Sequence, residues 1–163
     1  MKFYRAEEYQ GSREKQFLRY RDQIKTLAPS AVVEHIGASS IPMAVSKGDL
    51  DIFVGVNSAE LEKVVLRLTK LGFQEKPDTL RTPELCMLES TSGDDVALQV
   101  VAKGSEFEFF LEFRDILRAN AALVQQYNEL KMSCEGLSPE TYRNKKSAFV
   151  EHVLAQAQQS TQE

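Results

Sequence analysis

The chain has 163 residues, of which 42% are hydrophobic and 27% charged, the balance of one globular domain with a sizeable core. A net charge of −4 argues against general nucleic-acid binding, which needs a basic face, and no apolar run is long enough to span a bilayer. Nothing at the N-terminus has a signal peptide's pattern, so a cytoplasmic location and no membrane partner are expected. Cys86 and Cys134 are too few for a disulfide framework and are expected as small buried hydrophobes; two scattered histidines make no structural zinc site.

Residues 1–11 carry no clear periodicity. Phe17, Tyr20, Ile24 and Leu27 then share one face, which predicts a helix over 12–27, with Arg13, Arg19, Arg21 and Lys25 on its solvated remainder. Pro29 ends it. Val32 to Ile36 is β-branched enough for a buried strand, and Gly37 permits the turn that closes it. Ser39 and Ser40 suit the cap of a following helix and Pro42 its first turn; Gly48 keeps that helix short. Asp49 to Val56 is a second strand. Asn57 or Ser58 caps a helix with a Leu61, Val64, Val65, Leu68 and Leu71 stripe, closed by Gly72. A short strand at Phe73 to Glu75 and a Lys76-Pro77-Asp78 turn precede two strands, Leu85 to Glu89 and Val96 to Val101, joined as a hairpin with a loop. The rest is helical: Glu106 to Arg118, a segment carrying Leu123, Tyr127, Leu130 and Cys134, and a last helix from Ser138-Pro139-Glu140 to about Ala157 with a frayed end. This order predicts a single α+β domain over residues 1–163, a small mixed sheet packed with helices and a helical C-terminal half.

The chemistry concentrates between Val32 and Val56. Side chains two apart on a strand share a face, so Asp49 and Asp51 project together about 6.6 Å apart at their Cα atoms. Two carboxylates so close repel unless one is protonated or a cation sits between them, and magnesium accepts such ligands while keeping water and substrate phosphates. The N–H groups after Gly37 offer an anion site. Phosphate at the turn and metal on the next strand suit phosphoryl or nucleotidyl transfer.

The longer pattern EHIGASSIP followed by K-x-x-x-D-I-x-V-G-V resembles the GrpB family, a branch of the nucleotidyltransferase superfamily. Glu34, His35, Ile36, Gly37, Ser40 and Pro42 match its common form, as do Lys47, Asp51, Ile52, Val54, Gly55 and Val56. Ser39 keeps the hydroxyl of the family's threonine. Ala38 replaces a serine and removes one hydroxyl from the turn; Asp49 replaces isoleucine and completes the superfamily Asp-x-Asp. The match continues more loosely through Phe113-Arg114-Asp115-x-Leu117-Arg118-Ala119, Tyr127-Asn128-Glu129-Leu130-Lys131 and the stretch from Tyr142 to Phe149.

The resemblance implies a nucleotidyltransferase-like fold and Mg²⁺- or Mn²⁺-dependent transfer of a nucleoside monophosphate from a nucleoside triphosphate to a small acceptor. Asp49 and Asp51 would be the catalytic, metal-holding pair. Gly37, Ser39, Ser40, Lys47 and Lys146 would hold the nucleotide's phosphates, and Lys131 could do likewise. Lys146 falls in one stripe with Tyr142, Phe149 and Val153, so it must snorkel, pair with an acid or face a cleft. Arg114 and Arg118 fit an ion pair or helix packing better than catalysis, and His35 fits a hydrogen-bonded core residue better than a general base. Nucleotidyltransferases usually add a third carboxylate from a later strand. Here Ala97 and Gln99 occupy the outward positions of Val96 to Val101, where the common family form has histidine. A catalytically weak or inactive nucleotide or phosphometabolite binder, or a protein-interaction module, is therefore the alternative.

Overall fold

The computed structural model of the chain describes residues 2–162. Its centre is a five-stranded mixed sheet in the order β1-β2-β5-β4-β3, with β1 Val32–Ile36, β2 Leu50–Val56, β3 Phe73–Glu75, β4 Leu85–Ser90 and β5 Val96–Ala102. β2 and β5 run parallel; every other neighbouring pair is antiparallel. The helices are α1 Ala6–Leu27, α2 Leu61–Lys70, α3 Phe109–Arg118, α4 Ala121–Ser133 and α5 Pro139–Gln162.

The two-residue period of the strands divides the core. Leu50, Ile52, Val54, Val56, Leu98 and Val100 point to one face and pack on Phe17 and Ile24 of α1 and Val64, Val65 and Leu68 of α2. Ile36, Phe53, Leu85 and Val101 point to the other and pack on Phe107 and, around α3, Phe109 and Phe110. A third cluster joins Ile41 and Ala44 to Leu117, Val124 and Tyr127, with Phe113 and Phe149 against it, and fixes α3, α4 and α5 beside the β1–β2 connection. Cys86 and Cys134 are buried and unpaired, as expected. No helix among the described residues is long and apolar enough to cross a membrane.

Several boundaries differ from the sequence expectation. α1 begins six residues before Ser12, because the Glu8 carboxylate accepts the Arg5 N–H and Tyr9 anchors the first turn through its hydroxyl on the Ala44 carbonyl. The element after Gly37 is one 3₁₀ turn, Ala38–Ser40, which contains both serines and ends before Pro42. Glu106–Glu108 is likewise a 3₁₀ turn ahead of α3. α5 starts where the Ser138 hydroxyl accepts the Thr141 N–H and runs past Ala157 to Gln162; Glu163 of the expected frayed end lies outside the described residues.

Candidate functional site

The site lies where β1 ends and β2 begins. Ile36 pairs with Asp51 across the two strands, so the Asp51 side chain emerges on the α3 face beside the glycine turn. Gly37 adopts φ +73°, and a Cβ there would stand 2.5 Å from Asp51 Oδ2. Glycine is required twice over, for the left-handed backbone and for the approach of main chain to carboxylate. The turn's main-chain bonds run from Ser40 N–H to the Gly37 carbonyl and from Ile41 N–H to the Ala38 carbonyl.

Asp49 stands one residue before β2, half-buried, with Oδ1 accepting from the Ser46 hydroxyl at 3.2 Å. Burial first, and the Asp49 carboxylate second, push the half-buried Asp51 carboxyl up to about 7. The charges of Lys146, Lys76 and Lys47 act against that rise, so three ammonium groups contribute to the field at Asp51. Lys47 and Lys146 are exposed, as a snorkelling lysine should be, and Lys47 lies 6.0 Å from the Tyr142 ring centre. The divalent-cation chemistry fits this donor set: two hard oxygen ligands that repel one another without a cation, in a field of lysines that suits phosphate. Among the described residues no group of three or more His, Cys, Asp and Glu could hold a metal, so water and ligand oxygens would complete the shell.

Lys131 is different. It is 1% exposed; its Nζ donates to the Val45 carbonyl at 2.7 Å and lies 3.9 Å from the Tyr127 ring centre. Burial, then the charge of Lys146, brings its pKa down to about 7. Asn128, one turn earlier on α4, accepts from the Val45 N–H and donates to the Met43 carbonyl, both at 2.9 Å. α4 thus clasps the loop that leads to Lys47 and Asp49, and Lys131 holds it there from a buried position.

The serine hydroxyls also look inward. Ser40 Oγ donates to the Gly37 carbonyl at 2.7 Å. Ser39 Oγ lies 2.7 Å from His35 Nε2, whose Nδ1 lies 2.8 Å from a Glu14 carboxylate oxygen. His35 stacks on Phe17 of α1, 5.0 Å between ring centres, so this chain runs on the sheet face opposite Asp51. His35 is a hydrogen-bonded core residue, and burial lowers its pKa.

α3 braces the same turn from the other side. Arg114 Nη1 donates to Glu34 Oε2 at 2.9 Å and to the His35 carbonyl at 3.1 Å, and Arg118 Nε donates to the Ser40 carbonyl at 2.9 Å. Arg114 is buried, so its ion pair belongs to packing of helix on strand rather than to the surface.

Sequence reasoning missed Lys76. It follows β3 at the far edge of the sheet, and only the β3–β4 pairing, extended by Lys76 N–H to the Met87 carbonyl, turns it toward the site. Opposite Asp51 on β5 stands Ala97, and opposite Phe53 stands Gln99, so the adjacent strand supplies no acid beside the pair.

A mixed sheet with paired aspartates beside a glycine turn defines a nucleotidyltransferase-like fold. The same fold occurs, at 16% identity and TM-score 0.51, in the Cid1 poly(U) polymerase bound to MgGTP, over 70% of this chain and 38% of that one. The chain belongs to the GrpB protein family, which it matches over residues 5–156. It is 66% identical to a UPF0157 protein of Vibrio cholerae over 96% of this chain and 84% of that protein. The solved GrpB protein of Enterococcus faecalis matches with TM-score 0.81 at 22% identity, over 99% of this chain and 100% of that one.

Proposed function

We propose that the protein binds a nucleoside triphosphate with Mg²⁺ or Mn²⁺ at Asp49 and Asp51 and transfers a nucleoside monophosphate to a small acceptor. The observation that carries this reading is the half-buried Asp49–Asp51 pair, with Lys47, Lys76 and Lys146 contributing positive charge at Asp51 and the Gly37 turn close against its carboxylate. The cation, when bound, neutralises charge on the phosphate oxygens and the pair together. Lys47, Lys76 and Lys146 orient the triphosphate by charge. The N–H groups of Ala38 and Ser39 give the turn its donors, while the Ser39 and Ser40 hydroxyls hold its shape through His35 and Gly37. Asn128 and Lys131 keep the Asp49 loop in place.

A second reading, a nucleotide binder without turnover, is favoured by Ala97 standing beside Asp51 where a proton-accepting group would be useful. The two separate in one assay of pyrophosphate release from ATP, GTP, CTP and UTP with Mg²⁺ and a panel of small acceptors. Transfer predicts release that Asp51→Ala abolishes. Binding without turnover predicts none, although the nucleotide binds; release unchanged by Asp51→Ala overturns the site assignment.

A further inference from the structure

The sheet face that carries Asp51 has an open polar row. Asp51, Ala97 and Glu89 are successive partners across β2, β5 and β4, and Gln74 follows on β3. Partners in register share a face, so these four side chains line up across about 14 Å, at roughly 4.8 Å per strand. Asp51, Ala97 and Glu89 are each only half-buried, so the row is open to solvent, in contrast to the sealed opposite face. Ala97 makes a low floor between two carboxylates.

Gln99 stands in the next row, between Phe53 and Met87. It is 9% exposed, and its Oε1 has no hydrogen-bond partner among the described residues. A buried carbonyl oxygen without a donor is costly, and few are left so without a reason. Lys76, whose N–H bonds to the Met87 carbonyl, adds positive charge felt at Asp51. One Glu89 oxygen accepts from Gln74 Nε2 at 3.0 Å, and a carboxylate has acceptor capacity for a further hydroxyl.

We propose that this row, floored by Ala97 and bordered by Glu89 and Gln99, is the subsite for a polyhydroxylated small molecule. Glu89 offers an acceptor oxygen at the row, the buried Gln99 Oε1 beside it lacks a donor, and hydroxyls are the donors that satisfy both. Ala97 supplies the room that a larger side chain would fill. The subsite rests on the transfer reading, in which it holds the acceptor next to the carboxylate pair, but it can be tested without turnover.

The test is nuclear magnetic resonance titration of the full chain with glycerol, ribose and glucose as probes. Shifts are expected at the Gln99 side-chain amide and the Ala97 N–H, with affinity falling about tenfold in Glu89→Met and in Gln99→Met, the effect of one lost hydrogen bond on each. Omitting Mg²⁺ should leave polyol binding in place while removing metal-dependent nucleotide binding. Polyol binding without nucleotide binding would therefore overturn the transfer reading and keep the subsite. No shift in this row with any of the three probes, or shifts that both variants leave unchanged, would overturn the subsite even if nucleotide binds.

Discussion

The two faces of the one sheet are built from the same strands and differ in almost everything else. On the α1–α2 face, Leu50, Ile52, Val54, Leu98 and Val100 are all fully buried. On the α3 face, the residues that alternate with them include Asp51, Ala97, Gln99 and Glu89, and the seal of Phe53, Phe107 and their neighbours covers only part of it. One face supplies stability and lets the other carry groups that cost stability. Substitutions that move a residue's burden from one face to the other should break that division.

The largest effect is expected on the sealed face. Leu98→Ala should cost about 3 kcal/mol in urea unfolding, through lost burial and a cavity, and leave the ligand affinity of the folded protein unchanged. Next is Gly37→Ala, at the edge of the open face. The φ of +73° and the contact with Asp51 Oδ2 should together cost about 2 kcal/mol, and metal-dependent nucleotide binding, followed by calorimetry, should be lost with the carboxylate's position.

Asp51→Asn should go the other way. The folded-state carboxyl titrates above its unfolded value, near 7 against 3.8, so the folded state holds the proton more tightly between those values. Stability of the wild type therefore falls as pH rises through this window, and the substitution removes the loss. Thermal unfolding should show the variant more stable by about 1 kcal/mol at pH 8, since solvent reaches the half-buried group, with the gain gone at pH 4. Lys47→Met is the smallest. It should change stability by less than about 0.5 kcal/mol, yet weaken metal–nucleotide binding severalfold at low salt.

The sealed face was legible in the sequence because periodicity of apolar residues is local. β1 was predicted to the residue, α2 from its leucine and valine stripe, and the β4–β5 hairpin from its two apolar runs. Ala97 and Gln99 were also placed correctly on one face of β5, since strand alternation needs no partner, but the burial of Gln99 against the α3 face was not foreseen. What escaped was set by contacts between distant segments. Lys131 looked like the edge of an amphipathic face, and its burial follows from the 43–46 loop packing on α4. Arg114 was read as an ion-pair or helix-packing residue, which it is, but its partners Glu34 and the His35 carbonyl on β1 could not be named from the sequence. The serines after Gly37 looked like a helix cap, but Gln10 of α1 donates to the Ala38 and Ile41 carbonyls and helps hold the segment to one 3₁₀ turn. Lys76 joined the site through three strand pairings that no local pattern records.

The central claim is that the Asp49–Asp51 pair is a metal–nucleotide site, and calorimetric titration of ATP, GTP, CTP and UTP tests it most directly. Wild type and Asp51→Ala would each be measured with and without Mg²⁺. The account predicts that at least one nucleotide binds wild type only when Mg²⁺ is present, and that Asp51→Ala abolishes that binding. Binding that needs no metal and survives Asp51→Ala would contradict it, and so would the absence of binding by wild type to all four.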